Sequence, residues 1–104
     1  MTRVKICGLT RAEDVDACLE LGVDALGFVL EPTSSRALSP GAALDLARAA
    51  GPFVTTVAVL GPWREVPSGL QAVQCLEPIQ ASWNGMRLRA LRVGPGFDPQ
   101  SVQH

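Results

Sequence analysis

Apolar and polar positions alternate at the start of the chain, where Val4 and Ile6 interleave with Arg3, Lys5 and Cys7. Strand side chains point to opposite faces with period two, so residues 3 to 7 predict a strand with an apolar face and a polar one. A parallel sheet covered by helices is apolar on both faces, and Lys5 and Cys7 sharing one face suggest that this face lines a functional interior. Gly8 then turns the chain, and Thr10 with Glu13 has the spacing of a capping box, which predicts a helix beginning near Thr10. Ala12, Val15, Cys18 and Leu19 follow at helical spacing, with Arg11, Asp14, Asp16 and Glu20 on the other side, until Gly22 closes the helix.

Ala25 to Leu30 is a short apolar run of the length of a buried strand, so residues 3 to 30 predict one βαβ unit with parallel strands. Ser39 before Pro40 marks a second helix start, Ala43, Leu46, Ala47 and Ala50 form its buried stripe, and Gly51-Pro52 ends it. Phe53 to Leu60, rich in valine and threonine, gives a third strand. The second half is less regular. Gly61 to Gly69 holds at most a turn of helix, Leu70 to Leu76 predicts a fourth strand, and Met86 to Val93 a fifth. Pro78 to Gly85 is short for a covering helix, and Asp98 before Pro99 has the form of an N-cap. The fold class is therefore α/β with parallel strands.

A chain of 104 residues is one domain at most. Its formal net charge of −1 disfavours a nucleic-acid partner, and it has no leader pattern and no apolar run long enough to cross a bilayer. Three cysteines without paired C-x-x-C spacing suit a reducing compartment, which predicts a cytoplasmic protein without a disulfide framework. The sole histidine is His104, so no metal site is expected, and Gly8, Gly22 and Gly27 do not make a dinucleotide fingerprint.

Alternating β/α chains bind ligands at the carboxyl ends of their strands, and two residues at such positions carry chemistry. Cys7 lies close to a helix start whose unpaired N–H groups favour a thiolate, suited to act as base or nucleophile. The same residue also fits as a small buried hydrophobe, and both readings stay open. Arg36, in the loop after the second strand, falls on the same rim and suits bidentate pairing with a substrate carboxylate, or plain solvation at the surface. Lys5 is either a supporting catalytic residue or the structural partner of a carboxylate from another strand. Cys18, Cys75, Trp63 and Trp83 read as packing residues.

With these residues placed, the chain resembles the phosphoribosylanthranilate isomerase family of tryptophan biosynthesis. The resemblance rests on Lys5-Ile6-Cys7-Gly8-Leu9-Thr10, on Gly22-Val23-Asp24-Ala25-Leu26-Gly27-Phe28-Val29, on Ser34-Ser35-Arg36 with Ser39-Pro40, and on Pro52-Phe53-Val54. These cover residues 3 to 60; residues 61 to 104 are the divergent part, with Cys75-Leu76-Glu77 standing where the family has Leu-His-Gly. The resemblance implies a TIM barrel of eight β/α units, here incomplete with about five. It also implies a cofactor-free Amadori rearrangement of a phosphorylated aminoaldose, with Cys7 as general base and Arg36 holding the anthranilate end. The family's general acid, an aspartate on the sixth strand, and its phosphate loops after the seventh and eighth strands lie beyond these five units. The alternative is a truncated or degenerate, non-catalytic fragment that self-associates to cover its open sheet edge.

Overall fold

In a computed structural model, residues 2–76, 83–90 and 95–96 are described. Among these residues five strands and two helices follow in the order β1 (Lys5–Cys7), α1 (Ala12–Glu20), β2 (Ala25–Val29), α2 (Pro40–Ala50), β3 (Thr55–Val59), β4 (Ala72–Cys75) and β5 (Met86–Arg89). All neighbouring strands are parallel and the sheet order is β1-β2-β3-β4-β5, so the chain adds each strand beside the last. Among the described residues the sheet does not close into a barrel: β1 and β5 are its two edges. The expected ends of the fifth strand near Val93 and the cap at Asp98 lie outside the described residues, as does His104.

Register sorts the side chains into two faces. Cys7 pairs with Gly27, Gly27 with Val57, Val57 with Ala72 and Ala72 with Met86, so these residues share one face with Lys5, Gln74 and Leu88. The opposite face carries Leu26, Phe28, Ala58, Val73 and Cys75, which meet Val15 and Cys18 of α1 and Ala43 and Ala47 of α2 in the main core. The polar and apolar sets of β1 are thus separated as the alternation predicts, although Ile6 on the edge strand keeps 37% of its surface exposed.

Helix α2 has the predicted boundaries. The Ser39 hydroxyl accepts the amide of Ala42 at 3.2 Å, Pro40 occupies the first turn, and Gly51 ends the helix with φ +82°, a conformation that glycine adopts without strain. Helix α1 departs from its prediction. It starts at Ala12 with Arg11 as the N-cap residue, and no side chain caps it. The amides of Gly8 and Leu9 both donate to the carbonyl of Gly27, which holds this turn against β2 and buries Leu9. That extended turn shifts the helix start past Thr10. Glu13, now one position too early to close a capping box, instead accepts a 2.9 Å bond from the Arg11 guanidinium.

No helix is present between β3 and β4. Residues 61 to 71 run as irregular chain, and Trp63, Val66 and buried Leu70 pack against the core in its place. Trp83 joins them, its indole N–H bonded to the carbonyl of Met86 at 2.9 Å. The two tryptophans are packing residues, as expected. Cys18 and Cys75 are buried too, the Cys75 thiol donating to the carbonyl of Gly61.

Candidate functional site

The carboxyl ends of β1, β2 and β3 form one rim. Cys7 closes β1 there with its side chain on the concave face, and it is exposed and unpaired. Its neighbour across the sheet, Gly27, presents no side chain. A Cβ placed on Gly27 would stand 3.0 Å from Cys7 Sγ, so the thiol leans over the glycine.

Arg36 comes to the same rim from the loop after β2. Its backbone amide donates to the Ser34 hydroxyl at 3.1 Å, a local turn that fixes where the side chain departs. The guanidinium lies against Gly8, since a Cβ on Gly8 would fall 2.6 Å from Arg36 Cζ and 2.9 Å from Nε. Gly8 also has φ +81°, so this position calls for glycine twice, through its backbone angle and through the close approach of Arg36. Among the described residues the Arg36 guanidinium has no ion-pair or hydrogen-bond partner. An accessible thiol and an unpaired cation therefore sit on consecutive faces of one turn.

Lys5 lies on the concave face and donates to the side-chain carbonyl of Gln74. The carboxylate partner that the sequence offers for Lys5 is replaced by the amide of Gln74 on β4. The bond links strands separated by two others, a span of about 14 Å across a flat sheet, farther than these two side chains bridge. The sheet is consequently strongly curled. Gln74 was legible only as a position alternating with the buried Val73 and Cys75, which turns it to the concave side.

A second rim element was missed. Glu31, just past β2, accepts from the Thr33 hydroxyl and sits 3.7 Å from the Arg64 guanidinium, with its Oε2 buried and without a hydrogen bond. Gly61 makes room for it, because a Cβ there would meet Glu31 Oε2 at 3.0 Å. Nothing in the spacing of Glu31 and Arg64 along the chain announces this pair.

An apolar hollow of about 280 Å³ also opens on the concave face, lined by Lys5, Ala25, Thr55, Val57, Ala72 and Met86 among others, but neither Cys7 nor Arg36 borders it. It lies toward the amino ends of the strands, away from the rim. Among the described residues no group of three or more His, Cys, Asp or Glu side chains is placed to hold a metal ion.

The known proteins that this chain resembles are of one kind. The chain is 44% identical over 108 aligned residues to the N-(5′-phosphoribosyl)anthranilate isomerase of Methylibium petroleiphilum, covering 93% of this chain and 51% of that one. It is 40% identical over 116 to the enzyme of Ralstonia nicotianae, covering 93% and 49%. Among solved structures, phosphoribosyl anthranilate isomerase from Thermus thermophilus superposes with a TM-score of 0.66 at 42% identity, over 74% of this chain and 43% of that one. A phosphoribosyl anthranilate isomerase in complex with reduced 1-(o-carboxyphenylamino)-1-deoxyribulose 5-phosphate gives 0.66 at 40% identity, over 75% and 45%. No family model matches the chain. It spans about half the length of the curated relatives it matches. Sequence and fold agree, and the chain is a homologue of about half of a phosphoribosylanthranilate isomerase.

Proposed function

We propose that this chain supplies the base and the carboxylate-binding half of a phosphoribosylanthranilate isomerase site. The single observation that carries the reading is the Gly8 turn, with the Cys7 thiol at its start and the Arg36 guanidinium across its glycine. A relative bound to a reduced carboxyphenylamino-deoxyribulose phosphate supports a phosphorylated substrate of that kind.

The chemistry divides accordingly. Arg36 pairs with the anthranilate carboxylate and fixes the amino end of the substrate. The Cys7 thiolate takes the C2′ proton of the ring-opened Schiff base, the electron pair moves toward the protonated nitrogen, and the resulting enol-amine tautomerises to the aminoketose. No electron leaves the substrate, so the isomerisation requires no redox partner. Lys5 plays a supporting part through Gln74, holding the curl of the face that carries Cys7. Three free thiols fit a reducing, cytoplasmic setting. Among the described residues no helix is long and apolar enough to cross a membrane.

The test is loss of substrate fluorescence with the purified 104-residue chain, with its Cys7→Ala variant, and with a chain extended through three more β/α units. The resemblance assigns the general acid and the phosphate loops to those further units, and groups that act as a unit fail together. The extended chain is expected to turn over and to lose about 10²-fold or more on Cys7→Ala. The 104-residue chain by itself is expected to show no turnover above its Cys7→Ala control. An extended chain indifferent to Cys7→Ala would overturn the assignment.

The exposed apolar residues of the two edge strands favour a second reading. Val4 and Ile6 on one edge and Met86 and Leu88 on the other are 37 to 51% exposed, which suits self-association of the open sheet. A discrete oligomer on a sizing column supports such a module; a monodisperse monomer removes it.

A further inference from the structure

Gly27 is an anomaly in its strand. It lies inside buried β2, where glycine weakens a sheet by its backbone entropy and its lack of packing surface. Its backbone gives no reason for glycine, because the residues of this chain with positive φ are Gly8, Gly22, Gly51, Gly69 and Gly96 among those described. A close approach is the remaining explanation. The atoms nearest to a Cβ at this position would be Cys7 Sγ at 3.0 Å, Val59 Cγ2 at 3.2 Å and Cys7 Cα at 3.3 Å. The foremost of these is the thiol that the proposed reaction uses.

We infer that Gly27 is a positioning residue: the missing side chain forms a seat for the Cys7 thiol, holding it over β2 rather than out along the free edge of the sheet. The inference rests on the reading of Cys7 as the base, and it adds the residue that fixes where that base points. β1 and β2 are register partners at this level, so the Cys7 Cα cannot retreat without breaking the ladder from Lys5 to Cys7. The sulfur turns about its own Cα–Cβ bond instead. Turned away from β2 it moves toward the edge of β1, where no further strand pairs among the described residues.

The consequence is a pair of effects with opposite signs. In Gly27→Ala the thiol becomes more accessible, whereas its aim into the mouth of the site is lost. Accessibility is read with a chromogenic aromatic disulfide: the Cys7 thiolate attacks one sulfur, a mixed disulfide forms, and the coloured aromatic thiolate leaves. In the native chain Cys7 is the exposed thiol, while Cys18 and Cys75 are buried and report whether the fold is intact. The Cys7 rate is expected to rise about threefold or more in Gly27→Ala, with Cys18 and Cys75 still protected. In the extended chain kcat is expected to fall about tenfold or more with KM little changed, since Arg36 and its seat on Gly8 are untouched. A Cys7 rate unchanged or lowered, with the other two thiols protected, would overturn the inference.

Should Gly27→Ala unfold, with Cys18 and Cys75 reacting, the double variant Cys7→Ala/Gly27→Ala decides. Removing the sulfur leaves space for the added methyl, and protection of Cys18 and Cys75 is expected to return to the level of Cys7→Ala alone. A double variant that stays unfolded would mean that Gly27 serves Val59 and the backbone, and the seat would be refuted. None of the thiol measurements depends on turnover, so failure of the isomerase reading and failure of the seat are told apart.

Discussion

Lys5 on the first strand and Gln74 on the fourth are joined side chain to side chain across the concave face of the sheet. The lysine is only partly exposed there, so its ammonium depends on that amide for the bonds it gives up to water. Gln74→Leu is expected to destabilise the chain by about 1–3 kcal/mol, the cost of leaving a part-buried donor unsatisfied. Lys5→Met combined with Gln74→Leu is expected to recover most of that loss, because replacing both partners with apolar groups leaves nothing unpaired. Urea unfolding of the native chain and the two variants measures it, and a double variant no better than Gln74→Leu would rule out the bond as the cause.

Arg36 has no competing partner among the described residues, so its guanidinium keeps its full bonding capacity for an anion. In the extended chain Arg36→Ala is expected to raise KM for the substrate by about tenfold or more, in line with a hydrogen bond to a charged group worth about 1.5–3 kcal/mol. Steady-state kinetics reads this directly. An unchanged KM would remove Arg36 from the site.

Gly8→Ala combines two costs. The positive φ alone is expected to cost about 1–2 kcal/mol, and the methyl displaces the Arg36 guanidinium as well. Thermal unfolding should therefore show a clear loss in this variant, and it should share the raised KM of Arg36→Ala. Loss of stability with an unchanged KM would separate the backbone effect from the seating of Arg36.

The two helix starts make a matched pair. Ser39→Ala removes the bond to the Ala42 amide and is expected to cost about 1 kcal/mol. Thr10→Ala removes no cap and is expected to stay within about 0.5 kcal/mol of the native chain. Equal losses in the two unfolding curves would restore the capping box at Thr10.

The bond from Arg11 holds the Glu13 carboxyl below the usual carboxylate range. A depressed carboxylate stabilises the fold at neutral pH, and that contribution disappears as pH falls through its folded value. Both side chains are more than half exposed, at 64% and 71%, and solvent screens the pair. Arg11→Ala is therefore expected to leave the dependence of stability on acid pH unchanged. A flatter acid limb in this variant would show that the pair matters.

Local signals in the sequence determined much of this protein. The alternation at residues 3 to 7, the apolar run after Asp24 and the Ser39-Pro40 start with its Gly51 stop each depend on neighbours in the chain, and each reappears in the fold. The same alternation put Cys7 and Lys5 on one face, and helical spacing marked Cys18 for burial. Where a feature depends on residues far apart in sequence, only the tertiary structure decided it. The start of α1 was moved by bonds from Gly8 and Leu9 to Gly27, and the partner of Lys5 is an amide 69 residues away. Trp63 covers strands where a helix was absent, and Arg36 rests on a glycine that belongs to a different turn. Propensity and periodicity act through adjacent peptide units, and they set where strands and helices form. A seat for a thiol or a guanidinium exists only after the strands are in register, because it consists of the space that one strand leaves for a side chain from another.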